Sequence, residues 1–263
     1  MRLPLDWVMG LTARSQRMER ESAGHPANRG ARRSLAQRCM RVASVACILC
    51  ACALVATVAL ADGESVTWRE HFDHSPLGWV DPFDHGADKL ARVYSVQHDG
   101  PLAFLHAHYD GSADGHPPAL DYGMAFKDHP VPLDKVRALR WRWRATRHPS
   151  VDGDAWVDCA ASVYVVIKVP SMLVGGRGFK FGWLAKPGAQ GTHQHGLLQV
   201  ALRHDPAGPE WRSESVDLCG MYKREYGTCE GQHVLYIGVV TDGDGTKSVA
   251  EADYADFELV TGP

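Results

Sequence analysis

Three groups of residues in this chain have types and spacings that could do chemistry. The first is Asp242-Gly243-Asp244-Gly245-Thr246. Carboxylates at i and i+2, with glycines freeing the backbone, can turn side-chain and carbonyl oxygens onto a hard cation such as Ca²⁺. Asp253 and Asp256 follow nearby, and the predicted ligand set is Asp242, Asp244 and Asp256. The loop does not follow the twelve-residue EF-hand pattern, so a solvated Asp-Gly turn or a structural carboxylate network answers to the same residues.

The second group is Leu139 to Arg144, LRWRWR. In an extended strand, side chains at i and i+2 share a face, so Leu139, Trp141 and Trp143 lie on one side. Arg140, Arg142 and Arg144 lie on the other, about 7 Å apart. Guanidinium groups grip carboxylate or phosphate through a bidentate fork, and aromatic rings stack on sugar faces. In Ala160 to Lys168 the polar set Ser162, Tyr164 and Lys168 likewise opposes the apolar set Ala161, Val163, Val165 and Ile167. Arg142, Arg144, Tyr164 and Lys168 on one shared face are thus the predicted ligand-binding residues. The competing reading has the Arg stems covering sheet surface while their heads pair with the protein's own carboxylates, each exposed pair contributing about 0 to 1 kcal/mol.

The third group is the histidines. His106-x-His108 and His193-x-His195 each put two imidazoles on one face of a strand, where Asp110 or Asp205 would complete a transition-metal site. Surface histidines in a loop-rich protein fit the same spacing. Tyr164, Arg142 and His195 could also be assembled into a lyase-like cluster next to a uronate. No spacing compels that arrangement, and no Gly-x-Ser-x-Gly, His-Glu-x-x-His or phosphate-loop motif is present.

These residues sit on short β-type runs separated by Gly, Pro, Asp and His clusters, the pattern of an all-β sandwich. The predicted strands are Val66–Phe72, Ala91–Gln97, Pro101–Tyr109, Leu120–Phe126, Ala138–Thr146, Ala160–Val169, Gly178–Leu184, Leu197–Arg203, Trp211–Asp217, Leu235–Thr241 and Ala252–Val260. One helix is predicted, Asp217 to Tyr226, with Asp217 as its cap and Gly227 as its stop.

Arg41 to Ala61 is an apolar run, free of charge after Arg41, behind Arg-rich sequence, and it ends in Ala59-Leu60-Ala61, the layout of a secretory signal peptide. Residues 1–61 are read as that signal, with Met40 an alternative start, and residues 62–263 as the exported domain of a bacterial envelope, periplasmic or extracellular protein. An uncleaved span, or a lipid anchor at Cys52 within Leu49-Cys50-Ala51-Cys52, are the two ways to a membrane. Residues 62–263 carry 19 Lys and Arg against 28 Asp and Glu, a net charge near −9. Phosphate repels such a surface, which argues against nucleic acid as a partner. Of the seven cysteines only Cys159, Cys219 and Cys229 lie beyond the signal. Cys219 and Cys229 are the closest pair, either bridged or left as thiols.

In order and spacing, Leu139–Arg144 (LRWRWR), Asp158–Ile167 (DCAASVYVVI), Phe181–Leu184 (FGWL), Asp217–Gly227 (DLCGMYKREYG) and Tyr236–Leu259 resemble the exported bacterial proteins catalogued as domain-of-unknown-function family 3047. That resemblance covers roughly Leu139 to Leu259. It implies a jelly-roll-like β-sandwich, similar in outline to carbohydrate-binding modules, and brings no established activity. Cys219, Cys229 and the His193-Gln194-His195 tract depart from it.

The sequence therefore predicts an all-β, jelly-roll-like sandwich with one short helix that binds an extracellular or envelope glycan, or another anionic ligand, without catalysis, with Ca²⁺ as the candidate cofactor. A polysaccharide lyase or glycosidase is one rival reading. A structural envelope or assembly protein, betrayed by a large exposed apolar patch, is the other.

Overall fold

The computed structural model describes residues 63–74, 79–82, 86–113, 121–126, 128–169 and 176–262. The signal segment, Met40 and Cys52 lie outside the described residues. The strands are β1 (Ser65–Glu70), β2 (Trp79–Val80), β3 (Tyr94–Asp99), β4 (Leu102–Asp110), β5 (Tyr122–Ala125), β6 (Val131–Pro132), β7 (Val136–Arg147) and β8 (Ala161–Lys168). They continue with β9 (Arg177–Trp183), β10 (His193–Gln194), β11 (Leu197–Arg203), β12 (Arg212–Val216), β13 (His233–Val234), β14 (Tyr236–Val240) and β15 (Val249–Thr261). Two α-helices, α1 (Ala87–Val93) and α2 (Leu218–Tyr226), and a 3-10 turn at Leu133–Lys135 complete the described elements.

The strands form a six-stranded sheet ordered β12-β7-β15-β4-β3, with β1 also on β15, and a seven-stranded sheet ordered β10-β11-β9-β8-β14-β5-β2. β6 and β13 pair separately. The two large sheets face each other as an all-β sandwich, and their facing side chains are the ones the period of two selects. Trp141 meets Phe181 at 5.6 Å between ring centroids, and Trp143 meets Trp183 at 5.7 Å. Val163 and Val165 from β8, Ile237 and Val239 from β14, and Phe257 and Leu259 from β15 fill the same layer. Truncating either tryptophan to Ala in such a layer costs about 3 to 5 kcal/mol.

α2 forms where its caps predict. The Asp217 carboxylate accepts from the Gly220 backbone N–H at 2.8 Å, and Gly227 ends the helix at φ 94°. Cys219 in its first turn is bridged to Cys229. Closing so short a loop in the unfolded chain is worth about 3 kcal/mol on the chain-entropy account. The second helix corrects the expectation of a single one. Ala87-Asp88-Lys89-Leu90-Ala91-Arg92-Val93 is a run of good helix formers with Asp88 in the first turn and Arg92 in the last, and that local preference prevails over the β reading of Ala91–Val93.

Candidate functional site

The outer face of the six-stranded sheet carries the Arg row, opposite the buried tryptophans as predicted, but its guanidiniums are already paired. Arg140 meets Glu64 at 3.3 Å and Arg142 meets Asp256 at 3.1 Å. Arg144 meets Asp253 at 2.6 Å and Asp99 at 3.6 Å. Arg144 also lies between the rings of Phe104 and Trp211, at 5.2 and 4.6 Å from their centroids. The Asp253 side chain is only 3% exposed and also bonds His106 Nδ1 at 2.7 Å. This is the self-paired reading of the row: the forks that would take a ligand carboxylate hold the protein's own.

The shared binding face is a correction. Arg142 and Arg144 are on β7 in one sheet, whereas Tyr164 and Lys168 are on β8 in the other. Alternation fixes which side of its own strand a residue takes, and it carries no information about which sheet that strand joins. Tyr164, Arg142 and His195 do not assemble for the same reason. The histidine pairs also resolve into ion-pair partners: His106 with Asp253, His108 with Glu251 at 2.8 Å, and His193 with Glu225 at 3.1 Å. His195 instead sits in the turn after β10 at φ 55°, near Lys180, and burial followed by that ammonium lowers its pKa.

The outer face of the seven-stranded sheet is the more informative one. Across it run Gln199 of β11, Lys180 of β9, Tyr164 of β8 and Gly238 of β14, each in register with the next. Strands about 4.8 Å apart set the spacing of this row. Lys180 alternates with core residues Phe179 and Phe181, so its side chain leaves the core side, yet it is only 6% exposed. The loop before β8 covers it. Trp156 from that loop lies over Gly182, where any β-carbon would collide with the indole, and donates its ring N–H to the Ala189 carbonyl at 2.8 Å. Lys180 Nζ is 5.8 Å from the Trp156 ring centroid and 5.6 Å from that of Tyr164.

No Asp or Glu among the described residues comes within 4.0 Å of this ammonium. Burial opposes its charge, but the Cys159 thiol, the Tyr164 phenol and the Asp242 carboxyl outweigh burial and hold its pKa above the ordinary lysine range. Burial likewise pushes the Tyr164 hydroxyl well up, against a smaller downward pull from Lys180. Two more polar groups face outward here. Ser162 and Tyr236 are 0% and 8% exposed, and neither hydroxyl has a hydrogen-bond partner among the described residues. Ser162 Oγ lies beside the Cys159 thiol. The Tyr236 ring folds along its own strand over Gly238, where a methyl would run into it.

At the end of this face the Asp242 loop does converge on a third carboxylate, but it is Asp158 and not Asp256. One oxygen from each of Asp158, Asp242 and Asp244 lies within 4.8 Å of the others. Asp256 occupies a bulge of β15 at φ 50°, in the opposite sheet, bonded to Arg142 and to His71 Nδ1. Asp158 Oδ1 accepts from the Gly245 N–H at 3.0 Å, and Oδ2 from the Thr246 N–H at 2.7 Å and from its hydroxyl. Asp242 Oδ1 accepts from the Asp244 N–H at 3.1 Å. Burial, then the charge of Asp244, raises the Asp242 pKa well above the carboxylate range. The arrangement is a clamp between two loops, and a cation would have to share oxygens that already hold backbone groups. Sequence reasoning missed Asp158 because its partners are about ninety residues downstream and nothing beside it in the chain announces them.

Compared with known proteins, the chain matches no family model and no curated protein.

Proposed function

We propose that this protein binds an extracellular or envelope glycan without catalysis, on the outer face of the seven-stranded sheet. The observation that carries the reading is Lys180 and Tyr164 in register beside Gly238 and the Tyr236 ring, which sets aromatic rings and a cation on one sheet face, with Gln199 next in the row held by Thr192 and Gln194. A tyrosine ring offers an apolar face to a sugar and a polar tip to its hydroxyls. The reading moves the contact residues from Arg142 and Arg144 to Lys180, keeps Tyr164, and leaves Lys168 at the far end of the same strand.

Export fits the Arg41–Ala61 segment and a disulfide of the kind oxidising compartments sustain. No helix among the described residues is long and apolar enough to cross a membrane. Binding is favoured over a lyase because the raised pKa values of Tyr164 and Lys180 leave both protonated at neutral pH, poorly suited to abstracting a proton. It is favoured over an assembly role because the large exposed hydrophobics among the described residues, Val80, Val157 and Val169, are scattered singly.

The test is titration of the purified protein with neutral and acidic polysaccharides, beside Tyr164→Ala and an Arg142→Ala/Arg144→Ala double variant. Binding that survives the Arg variant and is lost in folded Tyr164→Ala supports this face. Loss with the Arg variant alone would return the site to the six-stranded sheet. Product release from any of the polysaccharides would replace binding with catalysis.

A further inference from the structure

We infer that Lys180 and the Ser162 hydroxyl form a seat for one anionic group, a carboxylate or sulfate ester borne by a sugar, while the Tyr236 hydroxyl takes a neighbouring sugar hydroxyl. This rests on the reading of the seven-stranded sheet as the glycan face and adds to it the selection of an acidic ligand.

Three observations converge. First, Lys180 is an ammonium 6% exposed, with no carboxylate among the described residues within 4.0 Å. Buried charges in folded proteins are ordinarily paired, so this one has capacity for an anion. Second, Ser162 is fully buried in the row next to Tyr164 and Lys180, paired across β8 and β9 with Gly182, which has no side chain to answer its hydroxyl and leaves it beside the Cys159 thiol, a weak partner. Native proteins leave few buried polar atoms unpaired, and those that remain call for a reason. Third, the Tyr236 hydroxyl is unpaired in the same way at the other end of the row.

Charge assigns the two ends. Lys180 provides the cation on the β9 side and is the charge acting most on Tyr164, whereas Asp121 and then Asp81 are the carboxylates that act on Tyr236 on the β14 side. An anion belongs at Lys180, and a neutral hydroxyl belongs near Asp121. Asp242, the carboxyl nearest in effect to Lys180, is turned toward the Asp244 backbone and the aspartate clamp.

The experiment measures affinity of the full chain by calorimetry for a uronate oligosaccharide, its methyl ester, a sulfated oligosaccharide and a neutral one. The variants are Lys180→Met, Lys180→Arg, Ser162→Ala and Tyr236→Phe. Wild type should bind the uronate or the sulfated ligand at least tenfold tighter than the ester and the neutral sugar. The tighter of the two acids identifies the group. Lys180→Met should erase that preference, Lys180→Arg should retain part of it, and Ser162→Ala should reduce it severalfold. Tyr236→Phe should weaken all ligands alike. If Lys180→Met does not fold, Ser162→Ala, which removes one hydroxyl, carries the test. Equal affinity for acidic, esterified and neutral ligands, lost in Tyr164→Ala, overturns the seat and leaves the glycan face standing. No binding to any of the four overturns both.

Discussion

Tyr236→Phe should make the protein more stable. The hydroxyl it removes is buried in a residue only 8% exposed and has no hydrogen-bond partner among the described residues, while the ring that remains still lies over Gly238 and opens no cavity. An unpaired buried polar group costs about 1 to 3 kcal/mol of desolvation. Removing it should return that amount, raising the melting temperature by about 2 to 12 °C at roughly 2 to 4 °C per kcal/mol in a domain of this size. The assay is urea denaturation followed by tryptophan fluorescence, where the midpoint should rise at unchanged slope. Tyr222→Phe is the control. Tyr222 is also buried, but its hydroxyl donates to Gln232 Oε1 at 3.2 Å, so its loss should destabilise by about 0.5 to 1.5 kcal/mol. If the Tyr236 and Tyr222 variants fall together, or if Tyr236→Phe is neutral, the hydroxyl has a partner in the free protein and the argument from unpaired groups fails.

Four other outcomes are expected. Arg144→Ala should cost about 1.5 to 3 kcal/mol by removing a charged partner of the buried Asp253 carboxylate, which keeps His106, whereas Arg142→Ala, at a more exposed pair, should cost less than about 1 kcal/mol; similar losses in calorimetry would contradict the burial argument. Asp242 has a folded pKa above its unfolded one, so the fold binds this proton more tightly. That contribution is complete below the ordinary aspartate range and lost as pH rises through the raised value, and Asp242→Asn should flatten this part of the pH–stability curve. Because Asp158 and Asp242 already hold backbone N–H groups, melting at pH 8 should be the same in calcium and in chelator, and a calcium-dependent rise would make the clamp a cation site. Finally, Cys219→Ser/Cys229→Ser should cost about 3 kcal/mol, and mass spectrometry of the unreduced protein should find Cys159 as the free thiol among Cys159, Cys219 and Cys229.

Much of the scaffold was legible because its signals are local. LRWRWR and ASVYVVIK each declare a core side by their period of two, and β7 and β8 both turn that side inward. Asp217 and Gly227 announce the ends of α2, and the structure uses both. The site was less legible because it is built from relations between strands. Arg142 and Tyr164 look alike in sequence, as polar residues opposite apolar ones, and only the pairing of β7 with β15 and of β8 with β14 separates them. Lys180 within Arg177–Trp183 reads as the solvent side of a strand. It is buried by Trp156, twenty-odd residues earlier, and the allowance for that indole is Gly182, a residue that in isolation signals only a weak strand. Asp158 was hidden in the same way, since its hydrogen bonds are all to the Gly245-Thr246 backbone and hydroxyl.

The position of β15 has a consequence for how the molecule is made. It is the longest strand, and β1, β4 and β7 all pair with it. The six-stranded sheet therefore has no middle until residues 249–261 arrive, and its earlier strands must wait with open edges for a partner far away in sequence. Such non-local closure makes folding slow and late, with the waiting edges the stretch most exposed to aggregation. A chain truncated before Val249 should fail outright, not fold partially, and the interval before closure is one in which it remains threadable as an extended polymer.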